Sequence, residues 1–392
     1  MILNMRKLFF GLIAACCIAI VGCNTGKVKR NGDFFFFPEV HKAIQKPETD
    51  LFLSDIGKAV RYIQLEKREG YFLSRINKTY LINDLIFISD NLSVIQFDKN
   101  GAIIRRFGAV GRGPGEFLTP IRFSVDPVLE EVLIYSTTTS ELNVYDLSTG
   151  EFKFGKRLPF YVSNFGALSN GNRFFFTQEF LHALPFSTIN EVYFTDKELN
   201  LIDSIGNPLR KSNESNSVGF VSCFVHDETI FYLYNYRDTL YQISQDLIRT
   251  PYAVFEIQNE ISRDQLQVFP QEGQILFPDF LWISRVVGNS DFLFVDFSKG
   301  FSFDDKYSPV KFVFNKNKGK YFISQGFSND LDGGPPFWPR WVSDGKLINY
   351  FLPHEIIDHY SHTKGKVAHD QAFLHLVRNL NENGNPVLVI LE

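Results

Sequence analysis

The sequence is poor in cysteine and lacks the short motifs that mark the commonest catalytic and metal sites. Four of its 392 residues are cysteine, and none of them forms a Cys-x-x-Cys pair. The glycine-rich stretch Gly108–Gly115 has no Gly-Lys-Ser/Thr ending, so it is not a phosphate-binding loop, and no Gly-x-Ser-x-Gly is present. The aspartate-rich turn Asp330–Gly334 lacks the closing Glu of a calcium loop. The sequence therefore contains no complete catalytic set.

A targeting segment is predicted at the amino terminus. Arg6 and Lys7 precede the apolar stretch Leu8–Val21, which is too short to span a bilayer comfortably. The stretch ends in Ile20-Val21-Gly22-Cys23, which resembles the lipobox of bacterial lipoproteins. The resemblance implies removal of residues 1–22, lipidation of Cys23, and a lipid-anchored protein on the periplasmic face of a membrane or on the cell surface. An uncleaved anchor helix is the alternative.

The chain that remains after cleavage is acidic. Removal of Arg6 and Lys7 leaves 38 of the 40 basic residues against 44 acidic ones, a net charge of −6. No long basic run survives, which argues against nucleic acid as a partner. Cys223 is then the one free cysteine, and we interpret it as a buried structural thiol. We assign residues 23–59 to a tether and amino-terminal segment, in which Asn24–Asp33 would reach about 33–36 Å if extended.

The remaining chain is rich in aromatic residues and repeats with a nearly constant period. Forty-two Phe and sixteen Tyr suit the faces of pleated sheets. A strand followed by a polar turn recurs at Asp98, Asp146, Asp196 and Ser244, at intervals of 48, 50 and 48 residues. Four short strands in each period of about 50 residues are typical of a β-propeller.

Two longer intervals and the chain ends complete the predicted ring. The intervals that follow Ser244 contain helix-like inserts at Glu260–Val268 and Asp370–Leu380. The predicted fold is therefore all-β: a six-bladed β-propeller over residues 60–392, with four-stranded antiparallel blades and short helical inserts in the last two. Pairing Arg61–Glu66 with Val387–Leu391 would remove two exposed strand edges at once. An open β-solenoid or a pair of two-sheet sandwiches is the alternative.

The residues between the first two predicted blades resemble a known repeat. Phe107-Gly108, the stretch Gly111–Phe117, Pro120 and the following Phe123–Asp126 are similar to an NHL repeat. Together with the lipobox and the terminal Asn385–Ile390, they make the chain similar to the six-bladed propeller lipoproteins common in Bacteroidetes. The resemblance covers nearly the whole mature chain and implies a fold and a location, but no particular activity.

Histidines cluster near the carboxyl end. Five of the eight fall between His354 and His375. If Pro353 opens a helix, His354, Asp358 and His362 share one face and offer a possible metal site. The alternative, which we favour, is that these are surface histidines of a solvated insert. NHL-like propellers include metal-dependent lyases and lactonases, so an enzyme of that type is the second functional hypothesis.

Topology predicts where a ligand would bind. The glycine-rich corner and both inserts belong to connections that emerge at one end of the blades, where the first strands begin. First strands line a propeller's axis, so the predicted ligand-binding residues at that mouth are Arg122, Asn164, Trp282, Arg340, Trp341 and His354, with Phe220 at the equivalent place in the fourth blade. Arg suits carboxylate or phosphate and Trp suits sugars or peptides. We therefore expect a non-catalytic binding or scaffold module for an envelope peptide, protein or glycan, without a cofactor.

Overall fold

The structure, a computed structural model, describes residues 28–45, 50–177, 190–206, 221–234, 237–257, 276–301 and 309–392. Within this part of the chain, six antiparallel four-stranded units follow one another as the blades of a β-propeller. The predicted fold class is therefore confirmed. None of the helices in the described ranges has the length and apolar character needed to cross a membrane.

The amino-terminal elements precede the first blade. They are β1 (Lys29–Asn31), β2 (Phe34–Phe37), α1 (Val40–Ala43), β3 (Leu51–Phe52), a 3-10 turn (Leu53–Asp55) and β4 (Val60–Gln64). Blade one contains β5 (Lys78–Ile82), β6 (Leu85–Ser89), β7 (Val94–Phe97) and β8 (Ile103–Phe107). The corner that follows contains β9 (Ala109–Val110) and β10 (Glu116–Phe117).

The next three blades follow directly along the chain. Blade two contains β11 (Ile121–Asp126), β12 (Glu131–Ser136), β13 (Glu141–Asp146) and β14 (Phe152–Arg157). Blade three contains β15 (Val162–Ala167), β16 (Arg173–Thr177), β17 (Asn190–Thr195) and β18 (Leu201–Gly206). Blade four contains β19 (Val221–His226), β20 (Thr229–Tyr234), β21 (Thr239–Ile243) and β22 (Arg249–Phe255).

The last two blades carry the longer connections. Blade five contains β23 (Leu276–Gly288), β24 (Phe292–Phe301), β25 (Val310–Asn315) and β26 (Lys320–Ser324), and β27 (Phe327–Ser328) follows it. Blade six contains β28 (Trp341–Ser343), β29 (Lys346–Phe351) and β30 (Val387–Leu391), with α2 (Pro353–Thr363) and α3 (Gln371–Asn379) between β29 and β30. The predicted insert Asp370–Leu380 is thus confirmed as a helix, whereas Glu260–Val268 lies outside the described residues.

Burial differs between the inner and the outer strands of a blade. Every residue of β12 is buried, whereas five of the six residues of β14 are exposed. Neighbouring blades cover both faces of an inner strand, which is why such strands read as almost continuous apolar runs. The fourth strand lies at the perimeter and is polar.

The ring closes with strands from both ends of the chain. β4 pairs antiparallel with β30, in the register Ile63 to Leu388, and completes blade six as its fourth strand. Asn385, which is fully buried, donates to the carbonyls of Glu66 and Tyr71 at 2.7 and 2.9 Å and accepts from the Leu73 amide at 2.8 Å. The predicted closure is confirmed.

The amino-terminal segment differs from the predicted tether. Lys29–Asn31 and Phe34–Phe37 form a hairpin, and β2 adds in parallel to β22 at the outer edge of blade four. Phe37, Val40 and Ile44 are buried in the core between blades four and five. Residues 28–45 thus pack against the propeller body, because β2 extends the sheet of blade four and Phe37 is buried with its neighbours Val40 and Ile44.

The glycine-rich corner between blades one and two is a tight structural turn. Gly108 and Gly115 have positive φ values of 61° and 72°, which glycine adopts at little cost. The Tyr145 hydroxyl donates to the Gly115 carbonyl at 2.9 Å, and the Gly113 amide donates to the Glu116 carboxylate at 2.7 Å. The corner is therefore fastened to the side of blade two.

Candidate ligand-binding channel

A channel runs along the propeller axis and contains two cavities. The larger, of about 460 Å³, lies where the first strands end, and we call it the distal cavity. The smaller, of about 270 Å³, lies where the first strands begin and the connections between blades emerge. Its charged lining residues are Lys78, Arg122, Arg285 and Arg340, and we call it the basic cavity. Both cavities are bounded by Lys78, Cys223, Val287 and Trp341, which mark the waist of the channel.

The structure brings four of the predicted site residues together. Arg122, Asn164, Arg340 and Trp341 come from blades two, three and six, and all four line the basic cavity. Arg122, Arg340 and Trp341 stand at or next to the start of a first strand, and Asn164 is the third residue of β15. Phe220 lies outside the described residues.

Trp282 and His354 are not among the residues that line the basic cavity. The Trp282 indole donates to the Gly300 carbonyl of its own blade at 2.8 Å. The register of β23 against β24 shifts between Ile283 and Arg285, so Ser284 and Arg285 reach the channel instead. His354 is exposed at the start of α2.

Lys78 and Arg285 are the two cations of the basic cavity that the sequence pattern missed. Lys78 begins the first strand of blade one, for which the sequence pattern gave no exact start. Arg285 is the tenth residue of a strand of thirteen, whereas the sequence pattern pointed to Trp282 in that blade. Aligning the sequence of each first strand with the buried third strand of the same blade would have located the channel-facing residues more accurately.

Arg122 has no counter-charge in the described structure. Its Nε is buried without a hydrogen-bond partner, and no ion pair joins its guanidinium to a carboxylate of a described residue. Burial lowers the pKa of Arg122, although the nearby Tyr135 hydroxyl has the opposite effect. The Nε–H group of Arg122 is therefore a buried donor that the described residues leave unused.

Arg340 is held by neutral partners. Its Nε donates to the Asn349 side-chain carbonyl at 3.0 Å, and its guanidinium lies 4.9 Å from the centre of the Tyr350 ring. The same Tyr350 ring is stacked with the Trp341 indole, with ring centroids 6.0 Å apart. Burial first, and then the Arg285 charge, lower the pKa of Arg340. Arg340 and Trp341 thus form a fixed cationic and aromatic corner of the cavity.

A buried carboxylate, that of Asp296, lies near this corner. Asp296 forms an ion pair with Arg285 and accepts from the Trp338 indole at 2.5 Å. Lys311 is also near it, and burial lowers the Lys311 pKa while Asp296 opposes that effect. Asp296 therefore favours the charged forms of Lys311 and Arg340 as well, but among the described residues its ion pair is with Arg285.

The waist of the channel carries a lysine and a thiol. Lys78 donates to the Asn164 side-chain carbonyl at 3.2 Å, and its ammonium lies 5.1 Å from the Tyr80 ring centre. Cys223 is half-buried and free, and burial raises the pKa of its thiol to about 11. A thiol with that pKa stays protonated near neutral pH and is a poor nucleophile.

The histidine cluster does not assemble as a metal site. Among the described residues, no group of three or more His, Cys, Asp or Glu side chains is placed to hold a metal ion. His362 contacts the Asp358 backbone carbonyl at 2.7 Å, and His359 contacts the Gly333 carbonyl at 3.0 Å. The first contact lies within α2, and the second joins α2 to the loop that contains Gly333.

The comparisons with known proteins agree with the fold. Residues 36–392 match the protein family described as a domain of unknown function, DUF4934. A protein of Bacteroides fragilis described as exported has a similar structure, with a TM-score of 0.69 and 18% identity over 88% of this chain and 98% of its own. A member of the DUF4221 family from Bacteroides vulgatus has a TM-score of 0.51 and 10% identity over 86% and 96% of the two chains. No curated protein sequence matches the chain.

A lyase fold is a more distant neighbour. Virginiamycin B lyase of Staphylococcus aureus has a TM-score of 0.43 and 10% identity over 85% of this chain and 99% of its own. Structural similarity at that TM-score and sequence identity does not indicate a shared reaction.

Proposed function

This chain belongs to the family of the domain of unknown function DUF4934. Because that family description names no activity, we propose a function from the residues that line the chain's own channel. It acts as an extracytoplasmic, non-catalytic binding propeller that holds a peptide, protein or glycan at the basic cavity. The observation that carries this proposal is the convergence of Arg122, Asn164, Arg340 and Trp341 on one cavity.

The chemistry of that cavity supports binding rather than catalysis. Its described lining has no carboxylate and no histidine to act as a general base near neutral pH. Guanidinium groups offer forked donors to oxygen-rich ligands, and the Trp341 ring offers a flat apolar face. Residues from several rigid blades hold these groups, which suits a preformed binding site.

Lipid anchoring at Cys23 is the second part of the proposal. Only residues 24–27 separate Cys23 from Val28, the first residue of the described body, a reach of about 18 Å when extended. β2 is paired to the perimeter of blade four. An anchor at Cys23 would therefore hold that perimeter near the membrane, where the exposed Lys29 and Arg30 could meet anionic headgroups.

The test is recovery of the ligand with the native protein. The full lipoprotein is purified from its membrane in mild detergent, and bound molecules are identified by mass spectrometry. We expect a defined peptide, protein or glycan with the wild type, and its loss from an Arg122→Gln, Arg340→Gln double variant. The control is Arg68→Gln, an exposed arginine that pairs with Glu66 away from the cavity.

Two results would contradict the proposal. The same ligand recovered in equal amount from the double variant would place binding elsewhere. Stoichiometric zinc or calcium in the wild type, lost in His354→Ala, would favour the metal-dependent NHL-type lyase or hydrolase instead.

A further inference from the structure

The basic cavity concentrates positive charge in a protein that is acidic overall. The full chain has a formal net charge of −4. The described lining of this cavity nevertheless includes Lys78, Arg122, Arg285 and Arg340, and contains no Asp or Glu. Asp296 forms its ion pair with Arg285, so Lys78, Arg122 and Arg340 face a space of about 270 Å³ without an ion pair to a described carboxylate. The overall composition of the chain, which is acidic, does not explain this excess of positive charge in the cavity.

Three other arginines in the interior have carboxylate partners. Arg173 is paired with Glu131, and Arg237 and Arg249 contact the two oxygens of Glu191 at 2.5 and 2.8 Å. Such pairing offsets the large cost of removing a guanidinium charge from water. Arg122 and Arg340 have no such carboxylate among the described residues. The Nε of Arg122 has no hydrogen-bond partner, and the Nε of Arg340 has a neutral one, the Asn349 side chain.

The unused polar atoms of the cavity are donors. Among its described lining residues, the buried side-chain nitrogen and oxygen atoms without a partner are Asn77 Nδ2 and Arg122 Nε. Both belong to N–H groups that can only donate. A buried unpaired donor is costly, so a ligand rich in acceptor atoms would be stabilised there. The hydroxyl of Ser222, by contrast, is already engaged with Val286 of blade five.

We propose that the ligand enters the basic cavity through a multiply charged oxyanion, a phosphate or a set of carboxylates, held by Arg122, Arg340 and Lys78. This inference rests on the proposed function, since it names the chemical class of the ligand at that site. The cavity is small compared with typical ligand sites, so it takes the anionic end group while the rest of the ligand lies outside the mouth. Arg122 and Arg340 bind the oxygens, and Lys78 supplies charge at the waist.

The test measures binding of simple anions to the intact, detergent-solubilised protein by titration calorimetry. The probes are inorganic phosphate, citrate as a tricarboxylate, and a neutral oligosaccharide, each at 25 and 250 mM NaCl. We expect phosphate, citrate or both to bind, and to bind more weakly at the higher salt concentration. Arg122→Gln and Arg340→Gln should each weaken binding about tenfold, as expected for loss of a charge-assisted hydrogen bond.

Arg105→Gln is the matched control. Arg105 is also half-buried with an unpartnered Nε, but it lies on β8, the outermost strand of blade one. It should leave anion binding unchanged. The thermal midpoint of every variant shows whether it folds, and the salt dependence of the wild type tests the charge requirement without any substitution.

The outcomes separate the two proposals. Binding of phosphate alone or of citrate alone identifies the oxyanion, and binding of both supports a general oxyanion site. Binding of the neutral probe, insensitive to salt and to Arg122→Gln, overturns the anionic ligand but leaves a binding propeller. Absence of anion binding, together with a native ligand that the Arg122, Arg340 double variant retains, overturns both.

Discussion

The carboxylate of Glu131 in blade two forms an ion pair with the guanidinium of Arg173 in blade three, and both side chains are almost completely buried. Lys153 contacts the other oxygen of Glu131 at 2.5 Å. Glu191 in blade three has the same role toward blade four, where it accepts from the Tyr232 hydroxyl at 2.8 Å and pairs with two arginines. Buried carboxylates thus link blade two to blade three and blade three to blade four.

The first prediction concerns this contact. Glu131→Gln should lower the free energy of unfolding by about 3 kcal/mol, because it leaves the Arg173 charge buried without its main partner. Urea unfolding at neutral pH measures the change. Glu198→Gln, which breaks the exposed pair with Lys197, is the control and should cost less than about 1 kcal/mol. Equal effects of the two changes would contradict a structural role for Glu131.

The second prediction concerns closure of the ring. Asn385→Ala should destabilise the protein by about 3 kcal/mol, because two carbonyls and one amide of residues 66–73 lose their partner. Thermal and urea unfolding give the value. Asn383→Ala, two residues earlier and exposed, should stay within about 0.5 kcal/mol of the wild type. A neutral Asn385→Ala would show that pairing of β4 with β30 suffices for closure.

The third prediction concerns the amino-terminal hairpin. Phe37 is fully buried, and its ring centre lies 5.0 Å from those of Phe255 and Phe314. Phe37→Ala should therefore cost about 3–5 kcal/mol, as expected for a large cavity in a core. Phe72→Ala, at a site 56% exposed, is the comparison and should cost far less. If truncation of Phe37 left stability unchanged, residues 28–45 would be an appendage rather than part of the core.

The fourth prediction concerns pH. Burial lowers the pKa of Lys316 to about 8, and its ammonium donates to the Asn289 carbonyl at 2.5 Å. An unfolded lysine titrates near 10.4, so between about pH 8 and pH 10 the unfolded state binds more protons. The free energy of unfolding should then rise with pH through that window as the penalty for the buried charge disappears.

Lys316→Met tests the sign. The variant's stability relative to the wild type should be greater at pH 7 than at pH 10, by on the order of 1–2 kcal/mol. The exposed Lys318, changed to Met, is the control for general alkaline effects. An identical difference at both pH values would show that the Lys316 charge carries no such penalty.

The fifth prediction concerns location. Cys23→Ser should leave the protein as an uncleaved precursor or release it from the membrane, because the acyl chains have no attachment point. Membrane fractionation and the intact mass of the product measure this, and Cys223→Ser should remain attached and processed. A Cys23→Ser protein that is cleaved normally and still sediments with membranes would refute lipid anchoring.

Local sequence patterns were enough to predict the blades. Short turns such as Asp98–Gly101 close several of the hairpins. Third strands such as Val94–Phe97 and Val387–Leu391 are buried runs that neighbouring blades cover. Both features depend on residues close together in the chain, so their spacing predicted six blades. The pairing of β4 with β30 also followed, because an unpaired strand at each end of a propeller leaves two open edges.

Which side chains reach the channel was decided by tertiary structure. A register shift next to Ile283 turns Arg285 toward the axis and leaves Trp282 bonded to Gly300 of its own blade. Side chains alternate along a strand, so a one-residue shift in register exchanges the two faces. The spacing of residues in the sequence does not indicate this register shift. The pairing of Phe34–Phe37 with Ala253–Phe255 could not be predicted from the sequence either. These strands are more than 200 residues apart and meet only in the folded ring.

The sequence by itself determined the number of blades, their order and the closure of the ring, because these depend on short-range periodicity and on the need to cover strand edges. Tertiary structure alone decided that Lys78 and Arg285 join the predicted Arg122 and Arg340 in one cavity, and that among these four residues Arg285 has the carboxylate partner in the described structure. Charge balance at a site depends on distances between blades, and those distances are set by packing rather than by spacing along the chain.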